Sequence, residues 1–280
     1  MRTNIISAFL VILSASYTQA QSDFTPAYSP NGKQIAFYRY VNKVPEIMII
    51  NTDGQHLYQL TKTTGIWSIG PIWSKDGNSI YFSHGEGMAN LDASTIALKT
   101  GKVERMKKEG MQFSLGASKK GLIWANKGAN GMTYYEASGK DLSHTRQITV
   151  DGFENFTYVN HPGKSLIIAV KTEGKEGIYV KKPGGEFKRV ADHKKPQNVS
   201  VSPNSKYLLF ESSVNQNSDI YMVKTDGTEL KRLTTDEAPD YMPAFSPNGK
   251  SIVFSSARSG AFYLYTMELK NGKITQLTGR

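Results

Sequence analysis

Six copies of one short pattern run along this chain, and few folds can hold such a repeat. Each copy opens on a turn, continues through an apolar strand, a loop and an aromatic-rich strand, then turns again and ends near Leu-Thr. The sixth copy reads Ser246-Pro247-Asn248-Gly249-Lys250, Ile252-Val253-Phe254, Tyr263-Leu264-Tyr265, Asn271-Gly272 and Gln276-Leu277-Thr278. The first matches it, from Ser29-Pro30-Asn31-Gly32-Lys33 and Ile35-Ala36-Phe37 to Asp53-Gly54 and Gln59-Leu60-Thr61. The apolar cores begin at Ile35, Ile80, Leu122, Leu166, Leu208 and Ile252, so successive copies lie 45, 42, 44, 42 and 44 residues apart. A period near 43 residues with four short strands per unit is the spacing of propeller blades.

Local chemistry favours strands over helices. Proline presets φ at the second turn position, asparagine bonds its own backbone, and glycine enters left-handed space. In Asp219-Ile220-Tyr221-Met222-Val223, alternation places Ile220 and Met222 on one face and Tyr221 on the other. Both faces can be buried if adjacent blades cover them. Gly, Pro and β-branched residues interrupt the long amphipathic runs that helical repeats need. The expected fold is all-β: a six-bladed propeller with about four antiparallel strands per blade. Six whole units leave little chain for a strand exchanged between the end blades, so closure is expected from face-to-face packing of blades one and six.

The first residues differ from the rest. Arg2, an apolar run from Ile5 to Leu13 and small residues at Thr18 and Ala20 have the order of a secretory leader. The expected division is a signal peptide over residues 1–20 and one propeller domain over 21–280, beginning at Gln21 after cleavage. The apolar run is too short to span a bilayer comfortably, and no later run of 18 apolar residues occurs. The mature chain is therefore expected without a transmembrane segment, in the periplasm or secreted. The sequence contains no cysteine, which excludes disulfides, thiol nucleophiles and cysteine metal sites. Lys and Arg number 34 against 24 Asp and Glu, for a net charge of +10, but they are scattered. No basic arm or nucleic-acid module is present, so nucleic acid is not an expected partner.

The Ser-Pro-Asn-Gly-Lys turn, apolar triplet, Ile-Tyr, Asp-Gly and Leu-Thr pattern resembles the WD-like propeller repeats of the TolB family. The resemblance extends from about Phe24 to Thr278, strongest in repeats one, two, five and six, weaker in three and atypical in four. It implies a six-bladed propeller and a periplasmic, protein-binding role in envelope organisation. Ser29, Pro30, Gly32, Ser246, Pro247 and Gly249 match turn positions, which are structural. The N-terminal α/β domain through which TolB contacts its inner-membrane partner has no matching segment, so the resemblance is to the propeller part only.

No His-Glu-x-x-His, P-loop, dinucleotide or nucleophile-elbow motif occurs, and neither cofactor nor metal is expected. His84 and His193 fall where loops approach a propeller mouth and are candidates for a metal or proton-transfer pair. Glu211, Glu237, Asp240 and His193 carry atoms suited to acid–base chemistry without forming a local motif. Candidate binding residues are Trp67, in the connection 62–70 after blade one, and Phe153, before blade four, since exposed aromatics anchor proteins or stack on sugars. Arg39 and Arg258 occupy matching regions of blades one and six, either as positive donors at the mouth or as salt bridges of the closing seam. Residues 235–241, with Glu237, Asp240 and Tyr241, form a polar connection suited to a basic peptide or cation. These features point to a non-catalytic exported scaffold for an envelope protein or anionic glycan. The alternative is a polysaccharide lyase or hydrolase with a site at the propeller mouth. Oligomeric state stays open.

Overall fold

The computed structural model describes residues 22–279, apart from 88–89, 107–112, 118–120, 129–130, 139–143, 149, 151–155, 160–164 and 215–216. The described strands form six four-stranded antiparallel sheets, each built from consecutive strands. The sheets occupy residues 23–59, 67–105, 113–148, 156–191, 197–232 and 240–276, blades one to six. In blade one the strands are Asp23–Tyr28, Gln34–Val41, Val44–Asn51 and Tyr58–Gln59. First strands touch between blades one and two, two and three, four and five, five and six, and six and one, and so lie nearest the ring axis. The first strand of blade one also packs on the first three strands of blade six. Among the described residues no strand is exchanged at that seam, and the two blades pack face to face.

Burial follows the expected two-sided pattern. In the third strand of blade five, Ile220 and Met222 belong to a cluster shared with blade six. Tyr221 and Val223 belong to another, shared with blade four. Phe37, Phe82, Phe210 and Phe254 fill the same position in four blades and are fully buried. Burying one such side chain stabilises by about 1.5–3 kcal/mol.

The repeated turns carry two duties. Within the turns of blades one, two, five and six, the serine hydroxyl donates to the Asx carboxyl or carboxamide oxygen, as Ser29 does to Asn31 at 2.8 Å and Ser74 to Asp76 at 2.6 Å. The same hydroxyl accepts the amide five residues on, at 2.9 Å for Gln34 and 2.9 Å for Ser79. Between blades, the turn glycines face the preceding blade's proline: Gly32 against Pro247, Gly77 against Pro30 and Gly249 against Pro203. These turns define a lower face. The second-to-third-strand hairpins and the blade-to-blade connections emerge on the opposite, upper face.

The closing Leu-Thr also has a physical role. The Oγ1 atoms of Thr61, Thr234 and Thr278 accept the amides of Ile47, Ile220 and Leu264 at 2.9, 3.0 and 2.9 Å, pinning the third strand of each blade.

Candidate functional site

The upper mouth beside blades six, one and two is floored by aromatic side chains. Phe24 lies 5.1 Å from Phe262 and 5.5 Å from Tyr38 between ring centroids, and Tyr241 lies 5.6 Å from Phe262. Trp67, Tyr40, Tyr241 and Ala238 pack on this cluster while only partly buried. Trp67 opens the strand Trp67–Trp73, so it is held by a sheet edge and not by a long free loop, which corrects the extent of the connection read from sequence. Trp67 and Tyr241, read separately from sequence, thus meet on one surface. Glu237 is exposed next to Ala238. Phe153 lies outside the described residues.

Burial decides between the two readings of Arg39 and Arg258 in favour of salt bridges, and takes Asp240 away from the rim. Arg39 is 8% exposed, and its Nε and Nη2 donate to the two carboxylate oxygens of Asp23 at 2.6 and 2.7 Å. Thr278 of blade six donates to Asp23 Oδ2 at 2.5 Å. Burial pushes the Asp23 carboxyl up, against the pull of Arg39 and Thr278. Arg258 donates through Nη2 to both oxygens of Asp240 at 3.0 Å, and Asp240 is fully buried. Asp240 also bonds Thr234 of blade five. Arg39, Arg258 and Asp240 therefore serve the blade seams, because a fork-shaped guanidinium and a buried carboxylate satisfy each other where water is absent.

Sequence reasoning missed an inner ring of strand bulges. Thr25, Gly70, Asn198 and Met242 each stand four residues before a turn serine, with φ of 49°, 63°, 49° and 56°. Gly70 was the readable sign of a left-handed residue there; Thr25 and Met242 hid it. The bulges link blades: the Met242 amide donates to Glu211 Oε2 at 2.5 Å, and the Thr25 amide to Met242 Sδ at 3.3 Å.

Residues 174–280 match the family model described as the TolB beta propeller domain. The chain is 25% identical over 247 residues to the Tol-Pal system protein TolB of Francisella tularensis subsp. tularensis, covering 86% of this chain and 47% of that protein. A TolB homolog of Chlorobium luteolum is 30% identical over 99 residues, 33% of this chain and 23% of that one. A solved structure assigned to TolB in Agrobacterium tumefaciens superposes with a TM-score of 0.66 at 19% identity, over 82% of this chain and 86% of that one. The chain carries a TolB-like β-propeller. It spans about half the length of the Francisella relative, at 47%.

The TolB-like propeller does not gather its histidines. His84, in blade two, shares a hydrogen bond of 3.1 Å with Ser68, and burial holds its ring below the usual imidazole range. His193, just before blade five, shares a 3.1 Å bond with Ser212 and lies tilted with its ring centroid 4.3 Å from that of Tyr221; burial lowers it too. Blades one and six stand between these two in the ring. Among the described residues, no group of three or more His, Asp and Glu is placed to hold a metal ion. Burial pushes the Glu211 carboxyl up to about 6, against its bonds to Met242, Asn198 and Gln197 and the charge of Lys171.

Proposed function

We propose that this chain is a non-catalytic binding scaffold of the bacterial envelope, exported by cleavage before Gln21 and working in the periplasm. An envelope protein is the proposed partner. The observation that carries this reading is the half-buried group of Trp67, Tyr40 and Tyr241 at the upper mouth, with acidic Glu237 beside it. Large rigid aromatics with one face on a core and the other toward solvent are the usual anchors of a protein interface. The similarity to a Tol-Pal system protein supports an envelope setting. With Arg39 and Arg258 paired inside the seams, the mouth offers apolar and acidic groups there, which suits a protein segment bearing a basic residue better than an anionic glycan.

The test is crosslinked capture from native envelope extract, identified by mass spectrometry and repeated with two variants. Trp67→Ala is expected to weaken capture of the same protein about tenfold, the scale of an interface anchor. Glu237→Lys, at an exposed position, is expected to weaken it less and mainly at low salt. Folded variants that capture as well as the wild type would remove this site. N-terminal sequencing of the exported protein is expected to begin at Gln21.

A further inference from the structure

Just below the same mouth, one carboxylate joins three blades. Glu211 lies in the second strand of blade five, 1% exposed, opposite Gln197 of the first strand and apolar Ile220 of the third. Its Oε2 takes the Met242 amide of blade six at 2.5 Å. The side chains of Gln197 and Asn198 bond it from within its own sheet. Lys171, from blade four, faces it while donating to Gln197 Oε1 at 2.8 Å. Among the described residues Lys171 is the charged group that faces Glu211; Lys195 lies beyond, against Lys171.

Position makes this carboxylate consequential. Met242 is the bulge residue of blade six, and its sulfur takes the Thr25 amide of the blade-one bulge. Glu211 therefore holds the first link of a chain running through the inner strands of blades five, six and one. Met242 also belongs to the cluster on which Trp67 and Tyr241 pack. A hydrogen bond to an ionised acceptor is about twice as strong as one to a neutral acceptor. Yet a buried carboxylate with one cation near it and neutral bonds otherwise is poorly compensated for lost hydration. The charged form grips the neighbouring blade firmly, while burial favours the neutral form. Near-neutral pH divides the two.

We infer that Glu211 is a proton-operated latch between blades five and six: ionised, it holds the Met242 bulge; protonated, it loosens that hold and changes the mouth that binds the partner. The consequence for binding rests on the scaffold reading above, whereas the latch itself is a property of the free protein.

The experiment is a pH titration of the ¹⁵N-labelled protein without partner. The Met242 amide is expected to move with a single inflection near pH 6, the Thr25 amide to follow with the same midpoint, and Glu211→Gln to flatten both. A Met242 amide that stays still from about pH 5 to 7, or an inflection that survives in Glu211→Gln, overturns the latch. If Glu211→Gln does not fold, the ¹³C-labelled carboxyl of Glu211 in the wild type decides: a midpoint near 6 supports the latch, and one below about 5 overturns it. Partner affinity is then compared at about pH 5.5 and 7.5. A several-fold difference that vanishes in Glu211→Gln supports control of the mouth, and equal wild-type affinities overturn it. A protein that binds no partner defeats the scaffold reading alone, with the amide titration still deciding the latch.

Discussion

At the seam between blades six and one, Asp23 is gripped by Arg39 of its own blade and Thr278 of the other. At the seam between blades one and two, the matching positions carry Ser68 and His84, a neutral pair sharing one 3.1 Å bond. There Thr61 turns to Glu46 of its own blade at 2.5 Å. The threonine keeps its duty of capping the third strand in both places, and only the acid it serves changes. Residues 60–66 tether blade two to blade one, so their surfaces meet at high effective concentration. Within residues 23–278 no connection crosses the other seam, where the Asp23 amide on the Phe262 carbonyl joins the side-chain clamp. Asp240 repeats the ionic clamp between blades five and six, so both flanks of blade six are fastened in this way.

The largest test of this contrast is Asp23→Ala. It leaves Arg39 buried without a counter-ion and is expected to destabilise by about 3–5 kcal/mol. In a domain of this size that lowers the thermal midpoint by ~10 °C. An effect no larger than that of an exposed substitution would dissolve the distinction between the two seams.

Acidification probes the same fastened side. The folded-state value of Glu211 is raised, so the native protein binds this proton before the unfolded chain does. Its charged form weighs against folding above that window, and stability rises as pH falls through it. For Glu211, between about 6 and its ordinary 4.5, the gain is about 2 kcal/mol. Denaturant midpoints measured across that range should show the rise, and Glu211→Gln should flatten it. A wild type that loses stability steadily from pH 6 to 4.5 contradicts the assignment.

Smaller effects separate the threonines. Thr278→Val and Thr61→Val each strand a strand-three amide and are expected to destabilise by about 1–2 kcal/mol. Only Thr278→Val should speed hydrogen exchange of the Asp23 amide, which bonds the Phe262 carbonyl across the seam at 2.8 Å. Equal exchange in the two variants would show that Thr278 does not hold the seam. Smallest is Ser68→Ala, at about 1 kcal/mol or less, since one neutral bond is lost and the tether remains. A loss matching Asp23→Ala would overturn the ranking.

The blades were legible in the sequence because their signals are local. Ser-Pro-Asn-Gly presets a turn within five residues, and alternation around Ile220 reports two buried faces. The mouth was legible only in part. Trp67 and Tyr241 stand out as residue types, but their meeting depends on how blade two packs against blades one and six. Arg39 stayed open between a donor at the mouth and a seam salt bridge because its counter-ion Asp23 lies 16 residues away, and Thr278, which completes the clamp, 255. Register across a closed ring, invisible to a window of neighbours, determines that match. The bulges stayed hidden for a different reason: a left-handed residue is advertised by glycine, and only blade two has one at that position.

The lower face carries a further consequence. Pro247 meets Gly32 as Pro30 meets Gly77 and Pro203 meets Gly249, and blades one and six each bear both halves of the same joint. A repeat of this kind fits a copy of itself on either side. Duplication then supplies a compatible neighbour without any new surface, and the last copy meets the first by the rule that joins blades one and two and blades five and six. For such a ring, which blade the ribosome makes first is a matter of history, not of geometry.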